Sequence, residues 1–245
     1  MSRIALMLLT LAPASALAQL YGEPAESPRT QQIEIKFGLY TPQIDSEGLA
    51  ANPYARIFDN DSMFLSKIEY DYQVYRDFGS LAIGGELGYG QVAGSGLASG
   101  TTSSTSDETK LHILPMSLAL VYHFDVLAVR WSVPLVPYVK VGLDYHIWWI
   151  TDGVGDTSEY VNTDAAGEHH TRGSGDTFGW HVAAGLKLLL DDLAPGMART
   201  FDNEVGVNNT YLFGEFLYAD ISDFGSSESF QLGDTTALFG LAFEF

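Results

Sequence analysis

The chain has 245 residues, 46% hydrophobic and 13% aromatic, with a formal net charge of −19 and no cysteine. So acidic a chain argues against nucleic-acid binding, which needs Lys and Arg against phosphate. The lack of Cys excludes disulfides, Cys-ligated metals and lipid attachment at an N-terminal Cys.

In chain order, Met1–Ala18 comes first. Arg3, the apolar run Ile4–Leu11, Pro13 and Ala16-Leu17-Ala18 form a basic start, a short hydrophobic region and an A-x-A cleavage site. This pattern predicts a signal peptide over 1–18, with cleavage leaving Gln19 first. The run is too short to span a bilayer as a helix, which needs about 20 residues. A short periplasmic segment is expected over 19–30, and a barrel over 31–245.

From there the dominant signal is apolar alternation with period two, in segments parted by Gly-, Ser- and Asp-rich stretches. Ile33, Ile35, Phe37 and Leu39 alternate with Glu34, Lys36, Gly38 and Tyr40. Over Phe64–Arg76, Ile68, Tyr70, Tyr72 and Val74 oppose Lys67, Glu69, Asp71 and Gln73. Ser80–Gly90 sets Leu81, Ile83, Leu87 and Tyr89 against Ala82, Gly84, Glu86, Gly88 and Gly90. His112–Phe124 carries Leu114, Met116, Leu118, Leu120 and Tyr122 on one side. Leu135–Trp149 sets Val139, Val141, Leu143, Tyr145 and Ile147 against Tyr138, Lys140, Gly142, Asp144 and His146. Thr177–Leu190 sets Phe178, Trp180 and Val182 against His181, Gly185 and Lys187. Thr210–Ile221 has apolar residues crowding both faces. Thr235–Phe245 ends the chain on Phe239, Leu241, Phe243 and Phe245.

Eight consecutive strands predict an all-β fold: a transmembrane, up-and-down antiparallel β-barrel of eight strands. Aromatics gather near strand ends (Tyr40, Tyr89, Tyr122, Trp148, Trp149, Trp180, Phe243, Phe245), as in the interfacial girdles of membrane barrels. Long extracellular loops are expected near 41–60, 91–108 and 150–176, alternating with short turns. The stretch 191–209 is long for a periplasmic turn.

The inner face of such a barrel carries charges of both signs. An eight-stranded interior is just wide enough to be filled by side chains, and buried ions must pair. Glu34, Lys36, Lys67, Glu69, Asp71, Glu86, Lys140, Asp144, His181, Lys187 and Glu244 are therefore expected to form a lumen charge network. Gly84, Gly88, Gly90, Gly142 and Gly185 would leave room for the long side chains. Such a lumen is a plug rather than a wide pore.

Motifs for phosphate cradling, zinc proteolysis, serine hydrolysis and EF-hand calcium binding do not occur. Glu168-His169-His170 reads as solvated loop. Asp144 and His181 are expected to face each other across the hairpin, a carboxylate–imidazole pair able to act as a base or to satisfy itself inside the wall. No cofactor and no metal are expected.

The terminal Phe239, Leu241, Phe243 and Phe245 resemble the signal by which the assembly machinery of Gram-negative outer membranes recognises barrel proteins. The whole chain resembles a family of small outer-membrane β-barrels of myxobacteria and their relatives, with an eight-stranded, OmpA/OmpX/OmpW-like architecture. FGLYTPQID (37–45), YDYQVYRDFGSLAIGGELGYG (70–90), VPLVPYVKVGLD (133–144) and LDDLAPGMARTFDNEVGVNNTYLFGEF (190–216) carry the likeness. The resemblance implies location in the cell outer membrane and no enzymatic activity. The expected partners are outer-membrane lipid, lipopolysaccharide and the barrel assembly machinery, for a monomer with a structural or surface-binding role. Two rival readings are a narrow channel for small or hydrophobic solutes and a hydrolase acting at the outer rim.

Overall fold

The computed structural model describes residues 30–47, 52–97, 104–131, 133–164, 167–191, 196, 204–226 and 229–245. The expected signal peptide and most of the segment 19–30 lie outside them. The described strands are β1 (Gln31–Tyr40), β2 (Met63–Arg76), β3 (Ser80–Leu97), β4 (Ser104–His123), β5 (Leu135–Thr151), β6 (Glu159–Asp164), β7 (Gly167–Arg172), β8 (Ser174–Leu189), β9 (Asn209–Ile221) and β10 (Asp234–Glu244). Two short helices accompany them, α1 (Pro53–Phe58) and α2 (Val126–Trp131).

Eight strands close an antiparallel barrel in the order β1-β10-β9-β8-β5-β4-β3-β2, and β6 and β7 form a separate hairpin. Closure is made by β10 lying against β1, from Gln32 opposite Glu244 to Gly38 opposite Leu238. The alternation follows from the pleat, which sends neighbouring side chains to opposite faces. Ile35, Phe37, Ile68, Leu87, Leu118, Leu143, Leu186, Phe239 and Leu241 are all exposed on the outside. The two-sided apolar pattern of β9 resolves by the same rule: Leu212 and Phe216 are exposed, while Phe213, Glu215 and Leu217 are buried inside. An unbroken apolar exterior on this scale is intelligible only where lipid, not water, surrounds it.

Three expectations are corrected. β3 and β4 run to Leu97 and from Ser104, so most of the stretch near 91–108 is ladder rather than loop. Within the stretch near 150–176, the β6–β7 hairpin and the start of β8 supply structure. Tyr40 and Trp148 do not belong to the outer aromatic girdle. Tyr40 is buried inside, its hydroxyl donating to the Leu232 carbonyl, and Trp148 packs on Phe230 with ring centroids 4.5 Å apart. Both occupy inward positions of the pleat, which a count of aromatics near strand ends does not distinguish.

The ladder is interrupted at Pro115, besides register shifts between Gln73 and Tyr75 and between Ser95 and Leu97. Pairing of β3 with β4 passes from Leu87–Met116 to Gly90–Ile113, skipping the residues opposite Pro115, whose nitrogen has no hydrogen to donate.

At the end of the barrel reached by the β1–β2 and β9–β10 connections, the interior is apolar. Met63, Leu65, Leu111, Ile113, Ile221 and Leu238 from the wall meet Tyr54 and Phe58 of α1 and Leu232 of the β9–β10 connection. Pro53 starts α1, and the Asp45 carboxylate accepts the Tyr54 and Ala55 amides at 2.9 and 2.8 Å, satisfying its first donors. With spacing i, i+4, Tyr54 and Phe58 share one face of the helix, and their rings lie 5.2 Å apart. Burial pushes the Tyr54 hydroxyl above its ordinary pKa, and it donates to the Asp61 carbonyl at 2.6 Å. The loop end of the barrel thus carries a hydrophobic cap.

Candidate functional site: the lumen and its charge network

Below the cap, the lumen holds four lysines and four glutamates in mutual contact. Lys36 Nζ lies 2.5 Å from Glu86, 2.6 Å from Glu69 and 3.5 Å from Glu215. Lys140 reaches Glu69 at 2.7 Å, Glu34 at 2.8 Å and Glu215 at 3.2 Å. Lys67 pairs with Glu86 at 2.7 Å, and Lys187 with Glu34 at 2.7 Å. Formally these eight charges cancel. Tyr138 donates to Glu215 at 3.0 Å and offers its ring face to Lys187 and Lys140 at 4.7 and 5.1 Å. All eight charged side chains are at most 6% exposed.

Each comes from an inward position of its strand, and glycines on neighbouring strands make the space. A Cβ on Gly185 would run into the Tyr138 ring, one on Gly142 into His181, and one on Gly88 into Lys67. Glu215 is the member that sequence reasoning missed. The signal was available: Glu215 stands across from Gly185 in the β8–β9 ladder, the same small-against-large pairing seen elsewhere in the wall.

The remaining expected members lie apart from the lysines. Asp71 is reached by Gln32 Nε2 at 3.2 Å, and its second oxygen, Oδ1, has no partner. Glu244 accepts from Asn209 at 2.6 Å and Tyr211 at 3.0 Å, with Arg76 3.5 Å away. Asp144 and His181 do meet, Oδ2 to Nδ1 at 2.7 Å, but diagonally: Asp144 faces Gly179, and His181 faces Gly142. The expected direct facing is two residues out of step, and the absence of a side chain at Gly142 lets the imidazole cross. Asp144, His146 and His181 are all buried. The side chains of Glu168, His169 and His170 lie outside the described residues.

At the opposite end from the cap, beside Thr30, the lumen opens into a cavity of about 280 Å³. Arg76, Asp125, Asp71, His123, Lys187 and Glu244 are among its lining residues. Burial pushes the Asp125 carboxyl up, an effect opposed by Arg76, 3.7 Å away. Glu34, Asp71 and His123 bring one ligand atom each within 4.8 Å of one another. Lys187 Nζ already stands 2.7 Å from both Glu34 Oε1 and His123 Nε2. An ammonium thus sits where a metal ion bridging those two residues would.

A closed antiparallel barrel with an apolar exterior and a polar interior sealed at one end defines a transmembrane β-barrel protein. The chain belongs to the outer membrane protein beta-barrel domain family, whose model matches residues 4–245, and it is a protein of the cell outer membrane. No curated protein matches it. Among solved structures it is similar to Neisserial surface protein A, at 11% identity and a TM-score of 0.43, over 88% of this chain and 96% of that one. The N-terminal β-barrel domain of Pseudomonas aeruginosa OprF is 15% identical with a TM-score of 0.39, over 89% and 98%. Ail, the attachment invasion locus protein of Yersinia pestis, is 9% identical with a TM-score of 0.43, over 88% and 97%.

Proposed function

We propose that this barrel is a closed wall element of the outer membrane with a structural or surface-binding role, and not a conduit. One observation carries the reading: the lumen is filled by four lysines interlocked with four glutamates and stoppered by the apolar cap. Water-filled channels need polar groups that face water, whereas these carboxylates are spent on lysines. We place the chain termini and the cavity in the periplasm and the capped end outside, because barrel proteins keep their longer loops extracellular. The outside connections carry Asp45, Asp59, Asp61, Asp152 and Asp156, a surface suited to basic partners or to cations bridging it to lipopolysaccharide. Phe239, Leu241, Phe243 and Phe245 would serve as the segment read by the assembly machinery. The narrower kinship with myxobacterial barrels rests on the four stretches quoted above.

Planar-bilayer recording tests the closed state. Conductance should lie far below that of a 16-stranded porin, whose lumen is an aqueous channel. Stable porin-like steps from purified protein would refute a filled interior.

A further inference from the structure

On the outside of β3, β4 and β5, near their capped ends, three rings form a plate that a wall role leaves unexplained. We propose that this plate, with Lys110 beside it, docks the phosphorylated sugar headgroup of an outer-leaflet glycolipid. The inference deepens the surface-binding role and takes from it the placement of the capped end outside.

The plate is rigid before any ligand arrives. His112 and Trp149 face each other in the β4–β5 ladder, and their rings stack 5.1 Å apart at an interplanar angle of 8°. Tyr89 of β3 joins them, its ring centroid 6.2 Å from His112 and 6.4 Å from Trp149. Both imidazole nitrogens are held, Nδ1 2.8 Å from the Tyr89 hydroxyl and Nε2 3.1 Å from Thr151 Oγ1. The Tyr89 hydroxyl donates onward to Gln91 at 3.1 Å. Rings fixed in this way lose little freedom when a ligand settles on them.

Strand register sets the level of the plate. Following ladder partners once round the barrel leads from Asp234 through Ala219, His181, Gly84 and Gln32 to Glu244, ten residues further along β10. That stagger tilts the strands by about 40°. Each residue then climbs about 2.5 Å, and each step to the next strand shifts the level by about 3 Å. On this scale the outward positions stay mainly apolar over about 25 Å, from Gln31 and Thr210 to Thr41, Gln91 and Asp220. That is the height of the lipid-facing band of outer-membrane barrels. Tyr89 falls at its upper edge, and His112, Trp149 and Lys110 lie about 5–10 Å higher, in the headgroup layer. The plate therefore meets headgroups, not acyl chains.

Charge narrows the occupant. Among the described residues, Lys110 is the one lysine or arginine at an outward position of the barrel strands at this end. It stands two residues from His112 on the same face of β4, 40% exposed. In a chain of net charge −19, a lone ammonium at headgroup level offers a point charge to phosphate. The rings beside it combine an apolar face with polar edges, the counterpart of a sugar's C–H face and hydroxyls. Glu108, 3.2 Å from the Lys110 ammonium and 54% exposed, competes with a phosphate for it.

For the test, the full barrel is refolded into phosphatidylcholine vesicles carrying an equal minor fraction of lipid A, a glucosyl diacylglycerol or phosphatidylglycerol. Lipid retained per barrel after mild detergent extraction is counted by native mass spectrometry. Lipid A, which carries both sugar and phosphate, should be retained several-fold more than the other two. Lys110→Ala should reduce its retention about tenfold, the scale of one charge-assisted contact, and Trp149→Leu several-fold. Glu108→Gln should raise it. Tyr218→Leu, at an exposed outward position of β9 away from the plate, should leave it unchanged. If Trp149→Leu does not refold, the exposed pair Lys110→Ala and Glu108→Gln decides. Equal retention of lipid A and phosphatidylglycerol, or equal retention by wild type and every refolded variant, would overturn the proposal and leave the rings as plain interfacial anchors. The readout is blind to conductance and to which way the barrel faces, so the closed-wall reading and this one can fail separately.

Discussion

Lys140→Met should destabilise the refolded barrel by about 3–5 kcal/mol, the usual cost of removing one partner from a buried ion pair. Lys140 is the hub: it contacts Glu34, Glu69 and Glu215 within 3.2 Å. Truncating it leaves three carboxylates to share Lys36 and Lys187, in a medium where unpaired charge is poorly solvated. The loss is not the net worth of the network, because an apolar replacement of a whole pair can be neutral. The second substitution is therefore Glu215→Gln in the Lys140→Met background, which removes the surplus negative charge. The double variant should be more stable than Lys140→Met alone, and the cycle should show a coupling within the range of about 0.5–3 kcal/mol found for contacting residues. Urea titration in detergent, followed by the shift between folded and unfolded gel bands, measures both. A loss under about 1 kcal/mol for Lys140→Met, the scale of an exposed pair, would mean that water reaches these groups and that the lumen is not filled.

Leu241→Lys and Phe245→Lys should reverse their order between the test tube and the cell. Leu241 projects outward, 41% exposed, paired between Ile35 of β1 and Leu212 of β9. Phe245 lies beyond β10, its amide donating to Gln31 O at 2.7 Å while its carbonyl accepts from Gln31 N at 3.2 Å. A lysine on the lipid face costs about 2–4 kcal/mol near the midplane and about 0–1 at the interface. Refolding of purified protein into detergent or lipid should therefore suffer more from Leu241→Lys. Assembly in cells should suffer at least as much from Phe245→Lys, if the alternating segment ending there is read by the assembly machinery. The measurement is the yield of heat-modifiable protein in the outer-membrane fraction against total synthesis. Wild-type yields of both variants in cells would remove this strand from both roles, signal and closure.

The periodicity of this chain was enough to place eight strands and to sort most residues into lipid-facing and lumen-facing sets. The reason is local: a pleated strand shows its two faces as odd and even positions, and the bilayer demands an apolar face on every strand. Lys36, Lys67, Lys140 and Lys187 could be put inside from alternation alone, as could Glu34, Glu69 and Glu86. Glu215 could not, because Leu212, Phe213 and Phe216 crowd both faces of β9; only the register against β8 and β10 turned it inward.

Which charge meets which was equally out of reach. Pairing depends on strand register and on side-chain reach across a curved wall, so Asp144 and His181 meet diagonally over Gly142 rather than directly. Glu244 turned out to join Arg76, Asn209 and Tyr211 at the turn end rather than the lysines. The hydrophobic cap was invisible because α1 and the β9–β10 connection are far apart in sequence and meet only over the closed barrel. The sequence by itself determined the wall, since every strand must satisfy lipid on its own account. Tertiary structure alone decided what fills and seals the interior, since that depends on which side chains barrel closure brings within a few ångströms.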